Sequence, residues 1–267
     1  MMTMIDLHAH ILPDVDDGPV DVEESLDMIR MGYEDGVDTI CATPHLMEKP
    51  GPARIEMFRE RFELLRERVQ TAGLSVDLVL GAEIYFQQDM EIVRNYPLLS
   101  LNGTGKYLLM EFPMQSIPPG ADKTVFNLVM SGIIPIVAHP ERNQSVLKDD
   151  GILDALVRAG ALLQINANSL EGRFGKTVKK CAASLLKKGL VHLIGSDAHN
   201  ATDRLIRLRA GVECASQIIG RQQAELLVSD HPRRILSGDP LPSECLSPTI
   251  TAGRGLLQKV WRDITGR

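Results

Sequence analysis
The run Met4-Ile5-Asp6-Leu7-His8-Ala9-His10-Ile11-Leu12-Pro13 sets the reading of the whole chain. Apolar residues flank it on both sides, so it reads as a short buried strand running into a loop. Side chains on a strand alternate faces, which puts Asp6, His8 and His10 on one face. Two imidazoles there suit a metal ion, one neutral nitrogen from each, with the carboxylate behind to orient a ring. A His-x-His pair alone is a weak signal, because ordinary polar residues at a strand end look the same. Its weight comes from what recurs downstream.

Later strands end in the same kind of residue. A strand over 37–42 runs into Thr43-Pro44-His45, one over 75–80 into Gly81-Ala82-Glu83, and one over 106–110 into Glu111-Phe112-Pro113. The strand over 133–138 ends at His139-Pro140-Glu141-Arg142, and the strand over 191–195 ends at Ser196-Asp197-Ala198-His199. Another strand is expected over 161–166. Between them lie helical patterns. Asp21 and Glu24 form a capping box before Val22, Leu26, Ile29 and Tyr33, and Gly36 closes that helix. Ile55, Phe58, Phe62, Leu65 and Val69 mark a helix over 53–72. Further helices are expected over 121–131, 149–159, 175–188, 203–218 and 221–229. The loop Pro13 to Pro19 holds Asp14, Asp16 and Asp17, which can cap the next helix, bind metal or face water.

Strands alternating with helices predict a parallel α/β sheet. Both a β/α barrel and an open doubly wound sheet place their sites at strand C-termini. Acids and histidines from at least six strand ends favour the barrel, since an open sheet gathers only the ends around its switch point.

Composition narrows the class. The chain has 267 residues, 44% of them apolar and 24% charged, with a net charge of −6. That is ordinary for a globular protein and lacks the basic footprint of a nucleic-acid binder. It does not exclude a phosphorylated substrate, because bound metals reverse the local field. No run is long and apolar enough for a membrane span, and no signal-peptide pattern opens the chain, so a cytoplasmic location is expected. Cys41, Cys181, Cys214 and Cys245 are widely spaced, and none is followed six positions later by Arg as a thiolate phosphatase requires. Residues 1–238 read as one domain. Residues 239–267 read as a tail with a linker and a short apolar cluster around Leu256, Val260 and Trp261.

Five of the seven histidines, His8, His10, His45, His139 and His199, sit at strand ends with Glu83, Glu111 and Asp197. Imidazole and carboxylate donors without thiolate fit manganese, iron or zinc. So many donors exceed one ion, and two or three are implied.

The order D-L-H-A-H, T-P-H, G-A-E, M-E-F, A-H-P-E-R and S-D-A-H resembles the polymerase and histidinol phosphatase (PHP) superfamily, over residues 4–238. The match is closer to the manganese-dependent protein-tyrosine phosphatases of bacterial capsule and exopolysaccharide systems. Its carriers are Ile5 to Pro13 with Val15-Asp16-Asp17-Gly18, Gly81-Ala82-Glu83-Ile84-Tyr85, His139-Pro140-Glu141-Arg142 and Pro232-Arg233-Arg234-Ile235-Leu236. The resemblance implies a distorted (β/α)7 TIM-like barrel with a site for two or three ions. It implies one ion on His8, His10, Glu83 and Asp197, a second on Glu83, Glu111 and His139, and a third on Asp17, His45 and His199. Arg142 resembles the residue that clamps the substrate phosphate, which its forked donors suit. Arg142, Asp197 and His199 carry over as catalytic. The implied reaction is attack by a metal-bound hydroxide on phosphotyrosine of a tyrosine autokinase, without a phosphoenzyme. A small-molecule phosphatase of the histidinol phosphatase kind is the alternative, and a metal-binding regulatory subunit without turnover is a third reading. The loop Leu46 to Pro52 departs from the family pattern, so tyrosine specificity rests on less than the metal site does. The sequence leaves the oligomeric state open. Asp6 is expected to support a ligand rather than to be one, and His192 and His231 to be structural.

Overall fold
The computed structural model describes residues 3–242. The expected tail over 239–267 therefore lies outside the described residues from 243 onward. Nine strands form two wholly parallel sheets. One has the order β1 (Met4–Ala9), β2 (Val37–Ala42), β4 (Asp77–Leu80). The other runs β3 (His45–Leu46), β5 (Glu83–Tyr85), β6 (Tyr107–Glu111), β7 (Ile134–Ala138), β8 (Leu162–Asn166), β9 (Leu193–Gly195).

Seven strands were expected; nine segments appear because two strands are interrupted and resume. β2 continues as β3 past Thr43-Pro44, and β4 continues as β5 past Gly81-Ala82. Pro44 has no N–H to give to a ladder. The breaks are bridged by Thr43 N–H to Ala9 O (2.9 Å), Gly81 N–H to Ala42 O (2.9 Å) and Glu83 N–H to Pro44 O (3.1 Å). As a result His45 and Glu83 are register partners on adjacent strands, not loop residues beyond them. The two sheets also meet at the other side. Ala9 bridges Ala198 in parallel, with His10 N–H to Ala198 O (2.8 Å) and Asp197 N–H to His8 O (2.9 Å).

The helices follow the apolar periodicity. α1 (Val22–Asp35) starts at Asp21, whose Oδ1 accepts from Glu24 N–H (2.9 Å), while Glu24 Oε2 accepts from Val20 N–H (3.0 Å). It ends at Gly36, whose left-handed φ of 97° favours glycine. α2 (Pro52–Thr71) buries Phe58, Phe62, Leu65 and Val69. α3 (Ala121–Met130) precedes β7. The helix expected over 149–159 is α5 (Ile152–Arg158), and an additional helix, α4 (Gln144–Lys148), precedes it across Asp149-Asp150-Gly151. α6 (Ala167–Glu171), α7 (Lys176–Lys187), α8 (Arg209–Ile219) and α9 (Arg221–Leu226) follow. α8 starts six residues later than expected, after a loop. α10 (Asp230–Ser237) lies beyond the last expected helix; Pro232 falls in its first turn, where no N–H is needed. β9 is shorter than predicted because the His192 ring, not a strand carbonyl, takes the Leu163 N–H (3.0 Å). Among the described residues no helix is long and apolar enough to cross a membrane.

The larger apolar cluster lies between sheets and helices. A smaller one includes Cys41, Tyr107, Leu109, Ile136, Leu162 and Leu193. Strand alternation puts Cys41 on the face of Thr43 and His45, and Tyr107 and Leu109 on the face of Glu111. This packed layer is thus the floor under the polar strand ends.

Candidate metal centre
Glu83 is the hub. It is fully buried, and its Oε2 lies 3.2 Å from His8 Nε2, 3.2 Å from His10 Nε2 and 3.1 Å from His45 Nδ1. Its Oε1 faces His139 Nε2 at 3.1 Å. Every ring around it is steered by its other nitrogen or by its strand. His8 Nδ1 donates to Gln164 Oε1 (2.8 Å), whose amide group is fixed by donating to Ile165 O and Asn166 Oδ1. His10 Nδ1 donates to Asp16 Oδ2 (2.9 Å), and His199 Nδ1 to the Asp197 carbonyl (3.0 Å). These bonds occupy Nδ1 of each ring and turn its Nε2 inward.

Asp197 is organised the same way. Its Oδ2 accepts from Arg142 Nη1 (2.5 Å), Arg204 Nη2 (2.7 Å) and Asn166 Nδ2 (2.8 Å). Its Oδ1 is left facing His8 Nε2 (3.5 Å) and His10 Nε2 (3.8 Å). Burial alone would raise its pKa, but His8, His139 and Arg204 outweigh it and hold the carboxyl well below the usual range. Burial, followed by the Glu83 charge, pushes Glu111 up to about 6. His139 and Asp197, both just past strand ends, take left-handed backbone (φ 32° and 55°). For non-glycine residues this costs about 1–3 kcal/mol each and is characteristic of functional sites.

The donors fit a cation cluster. His8 Nε2 and His10 Nε2 face each other at 3.2 Å, and two lone pairs at that distance repel unless a positive charge lies between them. Glu83 Oε2 and His45 Nδ1 are buried without a hydrogen-bond partner despite standing 3.1 Å apart. Donors bound to one ion at about 2.0–2.2 Å stand roughly 3.0–3.5 Å from each other, which is this spacing. Three overlapping groups have donor atoms within 4.8 Å of one another: His10, Asp17, His45 and His199; His8, Glu83, His139 and Asp197; and His45, Glu83 and Glu111. All nine residues singled out as ligands are in them. By distance His10 groups with Asp17, His45 and His199, and His139 with His8 and Asp197, a partition different from the one the family resemblance implies. Burial opposes a charged His10, but hydrogen bonds to Asp16 and Glu83 outweigh it and push the ring up to about 10. Burial and the neighbouring His10 then drive His199 down to about 2.

Several supporting residues were not read from sequence. Asp16 was left among three undecided acids, yet its Oδ2 takes both His10 Nδ1–H and His45 N–H (2.8 Å). Gln164 and Asn166 come from β8, whose end carried no imidazole to draw notice. Arg204 lies in a loop with no spacing signal. Asp6 does not touch a ring; its Oδ1 accepts from His8 N–H (3.2 Å) and Ser196 N–H (3.0 Å), fastening β1 to the end of β9. β1 also has register irregularities between Asp6 and Ala9, so simple alternation fails there. Glu141 is fully buried and accepts from Asn166 N–H and Ser169 Oγ. His192 and His231 are buried and away from the centre, joined by His231 Nδ1 to His192 O (2.8 Å).

A cleft of about 730 Å³ adjoins the centre, sharing Asp17, His45 and Glu111 with it and lined also by Met47, Lys49 and Pro52.

Parallel α/β sheets whose strand ends converge on a buried imidazole and carboxylate cluster define a class of metal-dependent hydrolase folds. Within that class, residues 4–237 match the family described as capsular polysaccharide synthesis, CpsB/CapC, and the chain belongs to it. It is 39% identical over 206 residues to the tyrosine-protein phosphatase YwqE of Bacillus subtilis, covering 75% of this chain and 79% of that protein. It is 36% identical over 207 residues to the putative tyrosine-protein phosphatase CapC of Staphylococcus aureus, covering 77% and 81%. Among solved structures it is similar to YwqE from Bacillus subtilis and CpsB from Streptococcus pneumoniae, described as metal-dependent tyrosine phosphatases. The TM-score is 0.84 at 32% identity, over 92% of this chain and 99% of that one.

Proposed function
We propose that this protein is a manganese-dependent protein-tyrosine phosphatase that hydrolyses phosphotyrosine on a bacterial tyrosine autokinase of polysaccharide synthesis and export. The observation that carries the reading is the convergence of nine donor residues, Glu83 at their hub, with two guanidiniums at their edge. Ions bound there supply Lewis acidity and activate a water as nucleophile near neutral pH. We assign His8, His10, Asp17, His45, Glu83, Glu111, His139, Asp197 and His199 as ligands for two or three ions. Manganese is favoured by the oxygen and imidazole donors, which iron and zinc also accept.

The chain's own residues do the rest. Arg142 and Arg204 present donors to phosphate oxygens, and Asp197 holds both in place through one oxygen. Arg142 is the main clamp, since its fork gives two aligned bonds. Asp197 and His199 complete the catalytic set: the first orients the guanidiniums, the second keeps Nδ1 on the Asp197 carbonyl and Nε2 toward Asp17. The open cleft beside His45 and Glu111 admits a phenolic ring carried on a protein, which supports this reading over a small-molecule phosphatase. Cysteine chemistry has no support here. Cys41 is buried beneath the site with its thiol pushed up by burial, and burial pushes Cys181 up to about 12. The free cysteines agree with work in the reducing cytoplasm.

We further infer that the two sheets form one distorted (β/α)7 barrel. Counting β2 with β3 and β4 with β5 as single interrupted strands leaves seven, and the Ala9–Ala198 bridge joins the first to the last.

The test is steady-state hydrolysis of a phosphotyrosyl peptide against histidinol phosphate, with elemental analysis of the same sample. We expect two or three ions per chain, a preference for the peptide, loss of activity with chelator and its return with manganese. A preference for histidinol phosphate, or one ion or fewer, overturns the assignment.

A further inference from the structure
We propose that Phe174 is a positioning residue for Arg142, the platform that keeps the guanidinium lying flat while its fork stays turned to the centre. The inference rests on the assignment of Arg142 as phosphate clamp.

Arg142 Cζ lies 4.4 Å from the centroid of the Phe174 ring. A guanidinium at that distance is attracted by the negative face of the ring, and the contact fixes its plane as well as its place. Phe174 has no other evident reason to be where it is. It is half-buried and belongs to neither apolar cluster. It sits at the tip of the turn between α6 and α7, in the run Gly172-Arg173-Phe174-Gly175. Gly175 N–H bonds Gly172 O (3.0 Å) across that turn. Gly172 caps α6 with φ 93°, its N–H shared by the Asn168 and Ser169 carbonyls, and Gly175 takes φ 92° at the start of α7. Both conformations suit glycine, so the turn is tight and anchored at each end.

Platform and clamp share one frame. Glu141, the neighbour of Arg142, accepts from Asn166 N–H (2.9 Å) and Ser169 Oγ (2.6 Å). Those two groups stand at the N-cap and in the middle of the short α6, six and three residues before Gly172, where the turn that bears Phe174 begins. The short helical turn of Arg142 and α6 are therefore tied to each other from within. Arg142 then has two restraints of different kinds: an in-line bond to Asp197 and a ring beneath its plane. Asp197 alone fixes one nitrogen and leaves the plane free to rotate, and a rotated fork offers one bond to phosphate instead of two.

The experiment uses the full-length, manganese-loaded protein. Phe174→Leu keeps an apolar side chain and removes the π face; Phe174→Tyr keeps the face. Each is made in the parent and in an Arg142→Ala background, and kcat and KM on a phosphotyrosyl peptide are measured alongside calorimetric affinity for inorganic phosphate. Thermal melts and metal content verify folding. We expect Phe174→Leu to lower kcat/KM roughly three- to tenfold and to weaken phosphate binding by a similar factor, the range of a partly exposed cation–π contact. Phe174→Tyr should recover most of both. In the Arg142→Ala background Phe174→Leu should have no further effect, because the coupled partner is gone. Additive losses in that background, or a Tyr variant as impaired as Leu, overturn the platform while leaving a costly Arg142→Ala, and so the clamp, standing. A harmless Arg142→Ala overturns both.

Discussion

Arg142 and Asp197 share the shortest contact in the centre, 2.5 Å, and the partnership divides their labour. Asp197 spends one oxygen on three donors and keeps the other for the imidazoles. Arg142 spends one nitrogen on Asp197 and keeps the remaining fork. Charge on the phosphate oxygens redistributes toward the transition state, so the guanidinium should aid turnover and not only binding. Arg142→Ala should lower kcat/KM by about two to three decades, roughly 3–4 kcal/mol, the range for a single oxyanion donor. Metal content measured in parallel should be unchanged. Arg142→Lys should recover only part of the loss, since an ammonium cannot reproduce the fork. Retention of more than about a third of the parent kcat/KM by Arg142→Ala, under ~1 kcal/mol, would move the clamp to Arg204.

At the scale of elements, Asp16 links three of them. It receives His10 Nδ1–H from the end of β1, His45 N–H from the start of β3, and Gly18 N–H (3.0 Å) from its own loop. Burial would raise its pKa, but His10 outweighs it and holds the carboxyl near about 2, so it is an acceptor throughout the working range. Asp16→Ala should weaken manganese binding by about 10- to 100-fold, the usual cost of losing a carboxylate behind a ligating histidine. Calorimetric titration of the metal-stripped protein tests this, and far-ultraviolet circular dichroism should stay unchanged. Asp16 also marks the limit of what the sequence tells. The ligand candidates were legible because imidazoles are rare and such donors recur at or just past the ends of β1, β6, β7 and β9. The parallel alternation was legible because apolar runs and helical stripes are both local patterns. Residues that hold ligands in place carry no such pattern: Gln164, Asn166 and Arg204 matter through partners that are distant in sequence. The interruption of β2 at Pro44 and of β4 at Gly81 was invisible for the same reason. A proline or glycine reads as the end of a strand, and only the neighbouring strand supplies the carbonyls that let the ladder resume.

Across the molecule, stability against acid should depend on a histidine far from the chemistry. His192 is fully buried, its Nδ1 accepts a backbone N–H, and its Nε2 has no partner. Burial, reinforced by the nearby His231, lowers its pKa from 6.5 to about 3. The unfolded chain therefore takes up this proton first as pH falls. The stabilisation is fully present above about 6.5 and is lost as pH drops toward 3, at about 1.4 kcal/mol per pH unit. Between pH 7 and 5 the site should cost roughly 2 kcal/mol, read as a shift in the urea midpoint. His192→Gln, which keeps an acceptor for Leu163 N–H, should flatten that limb relative to the parent.

The bond from Ser196 N–H to Asp6 spans 190 residues of chain. On a ribosome adding about 5–20 residues per second, β1 therefore waits roughly 10–40 s for the segment that completes its open edge. During that wait His8 and His10 are already made, but Asp197 and His199 do not yet exist. On the proposed assignment, the nascent chain should be catalytically silent until Asp197 and His199 have emerged. On the proposed assignment of Asp197 and His199, a nonsense or frameshift mutation anywhere before Asp197 should leave a product without turnover, measured as hydrolysis of a phosphotyrosyl peptide.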